Sequence, residues 1–312
     1  MNAVQDLLLL GSIQQGVAQI TLNRPKQRNP LDWSTVVALR AAVKQFEADS
    51  SVQVVIVRGS GGNFSAGGDL KGYVSLYRNK QDFRQFLEDF YQLFEAMENS
   101  AKIYVAVIDG YCVAGGLELL LACDVVVAAH SANIGDGHVN FGQLPGAGGS
   151  QRLPRAIGPM RARYLMTTGE LINATEAERI GLVSKVVADE ELDAFVGQLG
   201  RRLASNSPLG LQGMKHLVNH GLRGDLNSGL RMEIDYVHDY ATNSNDATEG
   251  LIAFGEKRKP LFTGTRTCSP ARKPIFLPCG ISRINLPLPV SVIPATPRNQ
   301  AGRCSNWHRR PA

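Results

Sequence analysis

The chain has 312 residues, of which 44% are apolar and 20% charged, which is the composition of a globular protein with a substantial core. Its net charge of +5 comes from residues 265–312, which hold eight basic and no acidic side chains; the remainder has 25 basic against 28 acidic residues. A mildly acidic body gives no reason to expect nucleic-acid binding. No apolar run approaches the ~20 residues that span a bilayer, so we expect no membrane partner and a cytoplasmic or organellar protein.

The cysteines exclude two further classes of protein. Cys112 and Cys123 lie in the body of the chain, and the other three lie after residue 265. None forms a Cys-x-x-Cys pair, so the pattern predicts neither a disulfide framework nor a zinc site. We therefore expect no metal.

Strands and helices alternate in the first part of the chain. Val36, Leu39, Val43 and Phe46 recur at helical spacing, and short β-branched runs indicate buried strands. The predicted elements are two strands within 5–23, a helix over 34–48, a strand over 52–57, a helix over 82–99, a strand over 103–108, a helix over 117–123 and a strand over 125–129. This alternation predicts an α/β domain with mainly parallel pairing.

The second part of the chain is predicted to be mostly helical. Thr175 and Glu178 form a capping box that predicts the start of a helix, with a strand over 182–187 and helices from about 190 to 256. After Gly264 the chain holds eight of its fifteen prolines. We expect a core at 1–190, a helical region at 191–264 and a disordered tail at 265–312, although a partner-binding arm or a non-homologous end would give the same composition.

Two glycine-rich segments follow buried strands, at residues 64–69 and 110–118. Glycine lets a backbone approach a ligand closely, and the second segment runs into a helix whose first amide groups have no partner within the helix. Two such amides directed at one carbonyl oxygen would form an oxyanion hole. From spacing alone, two ordinary tight turns explain the pattern equally well. Neither segment matches a dinucleotide fingerprint or a P-loop.

Two residues near the second glycine segment are candidate acid–base groups. Glu118 lies in a first helical turn, where an acidic residue more often serves the helix dipole. His138 follows the turn-like sequence Gly135-Asp-Gly, where a histidine is more often a surface or hydrogen-bonding residue than a catalytic one. Asp136 could orient His138, but an aspartate before Gly137 is also a common turn former.

Several motifs along the chain occur in the order found in one protein family. These motifs are Leu22-Asn-Arg-Pro-Lys26 with Asn29-Pro-Leu31, Ser65-Ala-Gly-Gly-Asp69, Gly110 to Asp124, Leu144 to Pro154, Ala177-x-x-x-Gly181-Leu-Val and Lys257-Arg-Lys-Pro-x-Phe262. Their order over about residues 1–264 resembles the crotonase family of enoyl-CoA hydratases and isomerases. The last motif ends where the proline-rich tail begins.

The resemblance implies an α/β crotonase fold: a ClpP-like spiral of ββα units followed by helices that drive assembly into a homotrimer or a homohexamer. It implies an acyl-CoA thioester as substrate and no separate cofactor. The oxyanion donors would be the amides of Gly68 and Gly115. Residues expected along the CoA path are Arg24, Lys26, Arg28, Ala66, Gly68, Asp69, Leu70 and Gly115, with Lys257 to Lys259 as further candidates.

The resemblance also implies that Glu118 is the first of two catalytic glutamates. The position of the second, twenty residues later, is His138, whose imidazole could serve as the replacement acid or base. We expect reversible hydration of a 2-enoyl-CoA, with double-bond isomerisation as the nearest competing reaction. A β-diketone carbon–carbon hydrolase and a catalytically silent acyl-CoA binder are two further candidate functions. The hydrolase branch uses an aspartate where this chain has Ala147.

Overall fold

A computed structural model describes residues 7–267, and the remaining part of the predicted tail, residues 268–312, lies outside the described residues. Nine strands occur within 7–267: β1 (Leu8–Gln14), β2 (Val17–Leu22), β3 (Val54–Gly59), β4 (Ile103–Ile108), β5 (Tyr111–Val113), β6 (Val125–Ala129), β7 (Asn133–Gly135), β8 (Ile172–Asn173) and β9 (Lys185–Val187). Six of them form one sheet in the order β1-β2-β3-β4-β6-β9, and the other three form a small sheet in the order β5-β7-β8.

The large sheet is parallel apart from its first hairpin. Strands β1 and β2 pair antiparallel around the turn at Gln15 and Gly16, whereas β2, β3, β4, β6 and β9 pair parallel. In the small sheet, β5 pairs parallel to β7 and β7 antiparallel to β8. The predicted α/β class with mainly parallel pairing is confirmed.

Eleven α-helices surround the sheets in the described part of the chain. They are α1 (Trp33–Ala48), α2 (Leu70–Leu76), α3 (Lys80–Asn99), α4 (Gly115–Leu121), α5 (Gly149–Ile157), α6 (Pro159–Thr168), α7 (Ala174–Arg179), α8 (Leu192–Ala204), α9 (Pro208–Gly221), α10 (Leu226–Asn243) and α11 (Asn245–Gly255). Three short segments within 7–267, Pro25–Gln27, His138–Phe141 and Asp189–Glu191, are single 3₁₀ turns.

The central strands are apolar on both faces because helices cover both faces. In β3, Val55 and Val57 belong to the main core, which includes side chains of α1 and α3, whereas Val54 and Ile56 pack with side chains of α8. Parallel strands covered on both sides read as continuous β-branched runs rather than as an alternating pattern. This burial fixes where each strand ends, and therefore where the loops that follow β3 and β4 emerge.

Two predicted boundaries were wrong. Helix α7 begins after Asn173, whose side chain accepts a hydrogen bond from the Glu176 amide at 2.8 Å, so Thr175 is not its N-cap. The predicted strand over 182–187 is confined to Lys185–Val187, because the amides of Leu182 and Val183 instead bond to the Ala177 carbonyl.

The ordered body continues past the predicted start of the tail at residue 265. The Thr265 carbonyl accepts from the Asn245 amide at 3.1 Å, and the Thr267 amide donates to Asn243 at 3.0 Å. Arg266 pairs with Asp239 at 2.7 Å. These contacts attach residues 265–267 to α10 and α11. Among the helices of residues 7–267, none is long and apolar enough to cross a membrane.

Candidate active site

The fold brings the two glycine-rich segments into direct contact. Ser65 forms a parallel bridge with Cys112: its amide donates to Tyr111 and its carbonyl accepts from Val113, at 3.0 and 2.9 Å. The Ser65 hydroxyl accepts from the Gly67 amide at 3.1 Å and donates to the Asn29 carbonyl at 2.7 Å. The loop after β3 is therefore held against β5 by backbone hydrogen bonds.

The backbone preceding α4 is strained in a way that directs the first amide of that helix. Ala114 has φ 52° and ψ −117°, a conformation that an L-residue adopts only when its surroundings enforce it. Here the Ala114 amide donates to the Gly135 carbonyl at 3.1 Å. A Cβ atom at Gly67 would lie 3.3 Å from the Gly115 nitrogen, and one at Gly115 would lie 3.8 Å from the Gly67 carbonyl carbon, to which the Gly68 nitrogen is bonded.

The amides of Gly68 and Gly115 are both available to a ligand. Gly115 is the first residue of α4, so its N–H has no partner within the helix. Within residues 7–267, neither amide meets a backbone or side-chain acceptor. The two predicted oxyanion donors thus lie on loops that contact each other, with their hydrogen-bonding capacity unused.

Glu118 lies one turn into α4 with its carboxylate buried, at 3% exposure. Its Oε1 accepts two backbone hydrogen bonds, from the amides of Ala147 and Gly149, each at 2.8 Å. A Cβ atom at Gly149 would lie 3.1 Å from both Cγ and Oε1 of Glu118, so the segment that follows Pro145 closes tightly around the carboxylate. Holding Oε1 in this way leaves Oε2 to face the rest of the site.

His138 faces that second oxygen. Its Nε2 lies 3.9 Å from Glu118 Oε2, and its Nδ1 lies 3.1 Å from Asp136 Oδ1. The Asp136 carboxylate is only 1% exposed, and its Oδ1 also accepts from the His138 amide at 3.3 Å. Among the described residues, His138 Nδ1 and Asp136 Oδ2 have no well-aligned partner.

Burial and charge shift the pKa values of the pair upward. Burial raises the pKa of Glu118, and the amides of Gly149 and Ala147 together with His138 offset part of that rise. Burial pulls the pKa of His138 down, but the adjacent Asp136 and Glu118 carboxylates outweigh it and leave the pKa above its ordinary value. Each group therefore holds its proton to a higher pH than it would in water.

The predicted CoA-path residues fall into two groups. Lys26, Arg28, Ala66 and Leu70 are exposed, and the Ala66 amide donates to the Arg28 carbonyl at 2.9 Å, so these segments form a continuous rim leading to Gly68.

The second group is engaged within the protein. The Arg24 guanidinium pairs with Asp32 at 2.7 Å and donates to Pro30 and Thr35. The Asp69 side chain caps α2 by accepting from the Lys71 amide at 3.2 Å. Arg258 pairs with Glu249 and Glu256, each at 2.6 Å. Arg24 and Arg258 are therefore less available to a phosphate than Lys26 and Arg28.

Three features of the site were not assigned from sequence. The amides of Ala147 and Gly149 hold Glu118 although they lie about thirty residues further along the chain. Tyr73 lies against Gly68, in a helix that was not predicted. A groove of about 410 Å³ also begins at Asp69 and Tyr73. Only the glycine run before Arg152 hinted at the first feature, because glycine-rich turns often present amides to an anion.

The comparisons with known proteins identify the family of the chain. A model of the family described as enoyl-CoA hydratase/isomerase matches residues 12–265. The chain belongs to that family, and the resemblance stated from sequence is confirmed.

The chain aligns with nearly the whole length of its curated and solved relatives. A crotonyl-CoA hydratase of Syntrophomonas wolfei is 37% identical over 80% of this chain and 95% of its own. A probable enoyl-CoA hydratase of Rhizobium meliloti is 39% identical over 81% of this chain and 97% of its own. The crystal structure of an enoyl-CoA hydratase from Bacillus anthracis superimposes with a TM-score of 0.78 at 35% identity, covering 83% of this chain and 99% of that one. The fold is that of the crotonase family.

Proposed function

We propose that this protein is an acyl-CoA enzyme that catalyses the reversible hydration of a 2-enoyl-CoA. The observation that carries the proposal is the position of His138 Nε2, 3.9 Å from Oε2 of Glu118, which lies on the helix whose first residue, Gly115, presents a free amide. Adding water across a double bond requires a base for the water, an acid for the α-carbon and a site for the negative charge between the two steps. The names of the relatives support the same reaction.

The steps follow from the positions of the two groups. The thioester oxygen accepts hydrogen bonds from the amides of Gly68 and Gly115, which draws electron density from the conjugated double bond. Glu118 takes one proton from a water molecule while the oxygen of that water bonds to the β-carbon. The π electrons of the double bond move to the thioester oxygen, which gives an enolate. His138, as the imidazolium, then gives a proton to the α-carbon. Each oxyanion donor is typically worth about 3 kcal/mol of barrier.

Asp136 makes His138 a workable replacement for a carboxylic acid. A neutral imidazole in a buried site would be a poor acid, since burial favours the form without charge. The carboxylates of Asp136 and Glu118 reverse that preference and raise the pKa of His138. We infer that the imidazolium is the acid in the hydration direction and the neutral ring the base in dehydration.

The substrate and assembly proposals extend from the same framework. The CoA portion is proposed to lie along the rim of Lys26, Arg28, Ala66 and Leu70. The Arg28 guanidinium stacks over the Tyr111 ring at 5.2 Å, an arrangement that leaves its N–H groups able to meet a phosphate. The reaction moves only the atoms of water and substrate, so we propose that no separate cofactor takes part. We also propose a cytoplasmic location, which was the expectation from sequence.

The C-terminal helices are proposed to form a homotrimer or a homohexamer. Leu226, Leu230, Ile234 and Val237 recur along one exposed side of α10, and Phe254 on α11 is 85% exposed. Patches of this kind mark protein–protein contacts. Light scattering of the purified protein tests the assembly: a monomer at micromolar concentration would refute it.

The reaction is tested with crotonyl-CoA and longer 2-enoyl-CoAs, following the loss of absorbance of the conjugated thioester. Water-dependent loss, with formation of the 3-hydroxyacyl-CoA, would support hydration. A 3-enoyl product from the same substrates would replace it with isomerisation. Cleavage of a cyclic β-diketone without CoA, or tight binding of every CoA ester without turnover, would replace it with the hydrolase or the silent binder.

A further inference from the structure

The Tyr73 hydroxyl lies directly beside Gly68. A Cβ atom built at Gly68 would lie 2.0 Å from Tyr73 Oη and 2.5 Å from Cζ, so the phenol fills the space that a side chain at residue 68 would occupy. Gly68 has no side chain, and the hydroxyl of Tyr73 occupies the space that one would fill. The Tyr73 hydroxyl therefore lies beside the residue whose amide is a proposed oxyanion donor.

Aromatic neighbours hold the Tyr73 ring in this position. Tyr73 stacks on Tyr77 with ring centroids 5.6 Å apart and planes 14° apart, and it meets Phe86 of α3 at 5.9 Å. Tyr77 in turn bonds through its hydroxyl to Gln143, in the loop that follows His138. The end of helix α2 is thereby connected to the loop that follows His138.

The hydroxyl has no partner of its own. Within residues 7–267, Tyr73 Oη neither donates nor accepts a hydrogen bond. Burial, followed by the neighbouring Tyr77 phenol and the Glu118 and Asp69 carboxylates, raises the pKa of Tyr73, so the phenol keeps its proton at neutral pH. The influence of Glu118 also shows that Tyr73 and the catalytic carboxylate share one electrostatic environment.

We propose that Tyr73 is a third oxyanion donor and gives its Oη–H to the thioester oxygen alongside the amides of Gly68 and Gly115. The contact with Gly68 carries this inference, because the ligand atom proposed to lie beside that residue is the acyl oxygen. A neutral donor that is already positioned, and unused in the free protein, stabilises the enolate without reorganisation. The inference rests on the proposed acyl-CoA function and assigns a catalytic role within the same site.

The test compares Tyr73→Phe with the wild-type full chain. Phenylalanine keeps the ring contacts, so circular dichroism and the melting temperature should be unchanged. We expect kcat to fall by roughly 100-fold or more, as the loss of one donor worth about 3 kcal/mol implies, with little change in KM. The fall should be the same for crotonyl-CoA and for enoyl-CoAs that carry an oxygen further along the acyl chain. Tyr91→Phe, which removes an exposed hydroxyl from α3, is the matched control and should leave kcat unchanged.

A second measurement does not depend on hydration. Acetoacetyl-CoA forms an enolate with its own absorbance, and an oxyanion donor lowers the pKa at which the bound molecule enolises. In Tyr73→Phe that pKa should be about one unit higher or more than in the wild type, since a tenfold change in stabilisation is one unit. If the wild type hydrates no enoyl-CoA, the proposed reaction fails while this titration still tests Tyr73.

Two outcomes would overturn the proposal. An unchanged kcat together with an unchanged enolate pKa would mean that the hydroxyl does not touch the acyl oxygen. A loss of activity confined to substrates with an oxygen on the acyl chain, again with an unchanged enolate pKa, would make Tyr73 a residue that recognises the acyl group.

Discussion

Replacing Glu118 by glutamine separates the chemical role of this side chain from its structural role. Its Oε1 accepts from the amides of Ala147 and Gly149, each at 2.8 Å. The amide oxygen of glutamine can accept the same two bonds, so neither backbone donor is left unpaired. The variant loses only the ability of Oε2 to take and return a proton.

The magnitude follows from what is removed. A positioned general acid or base typically contributes 10²- to 10⁴-fold, so kcat for crotonyl-CoA hydration should fall by that factor, equivalent to about 3–5 kcal/mol of barrier. Alanine at the same position is a useful contrast because it also leaves the buried amides of Ala147 and Gly149 without an acceptor. Each stranded amide should lower the free energy of unfolding by about 1–3 kcal/mol, whereas glutamine should not.

Stability against pH gives an independent check on the same residue. Because the pKa of Glu118 is raised in the folded protein, its contribution to stability is present below the unfolded-state pKa and is lost as pH rises through the folded value. The glutamine variant lacks this titration, so its stability relative to wild type should increase between those two pKa values. Chemical denaturation across that range measures it. A glutamine variant with at least a third of wild-type kcat would refute the assigned role of Glu118.

Three further predictions concern the surroundings of the site. Asp136→Asn should move the alkaline limb of the kcat profile to lower pH, because the histidine acid loses the charge that holds its proton; a full pH series measures this, and an unmoved limb would contradict it. Lys215→Met should lower the free energy of unfolding by about 1–3 kcal/mol, since it removes the bonds that the buried Nζ donates to the carbonyls of Met97 and Lys102 and to Asp124; urea unfolding checks the value, and a loss below about 0.5 kcal/mol would argue against it. Ending the chain after Thr267 should leave crotonyl-CoA hydration unchanged, whereas ending it after Gly264 should lower the melting temperature by removing the bonds to α10 and α11; equal melting temperatures would mean that those bonds add nothing.

Much of the fold could be predicted because its signals are local. The run Val54 to Val57 is β-branched and apolar, and such a run has one good solution, a strand with both faces covered. Helix α1 was predicted to within one residue from the spacing of Val36, Leu39 and Val43. Helix α2 was missed because it is only seven residues long, so its sequence shows little more than one helical repeat.

The residues of the site also separate into those with a local sequence signal and those without one. Gly68, Gly115 and Glu118 lie in short motifs, so the sequence by itself determined that these candidates exist and in what order. It did not determine which atoms face one another. The meeting of Glu118 with the amides near residue 148, and of Tyr73 with Gly68, depends on sheet register and on how loops from separate strands pack, and no local propensity encodes a contact of that kind.

The histidine at position 138 shows the difference most clearly. Its neighbours in the sequence alone favoured a surface residue over a catalytic one. The local turn places Asp136 3.1 Å from one ring nitrogen, whereas only the tertiary structure brings Glu118 within 3.9 Å of the other. The ionisation of an imidazole depends on the charges and the burial around it, and those are properties of the folded chain rather than of the sequence order.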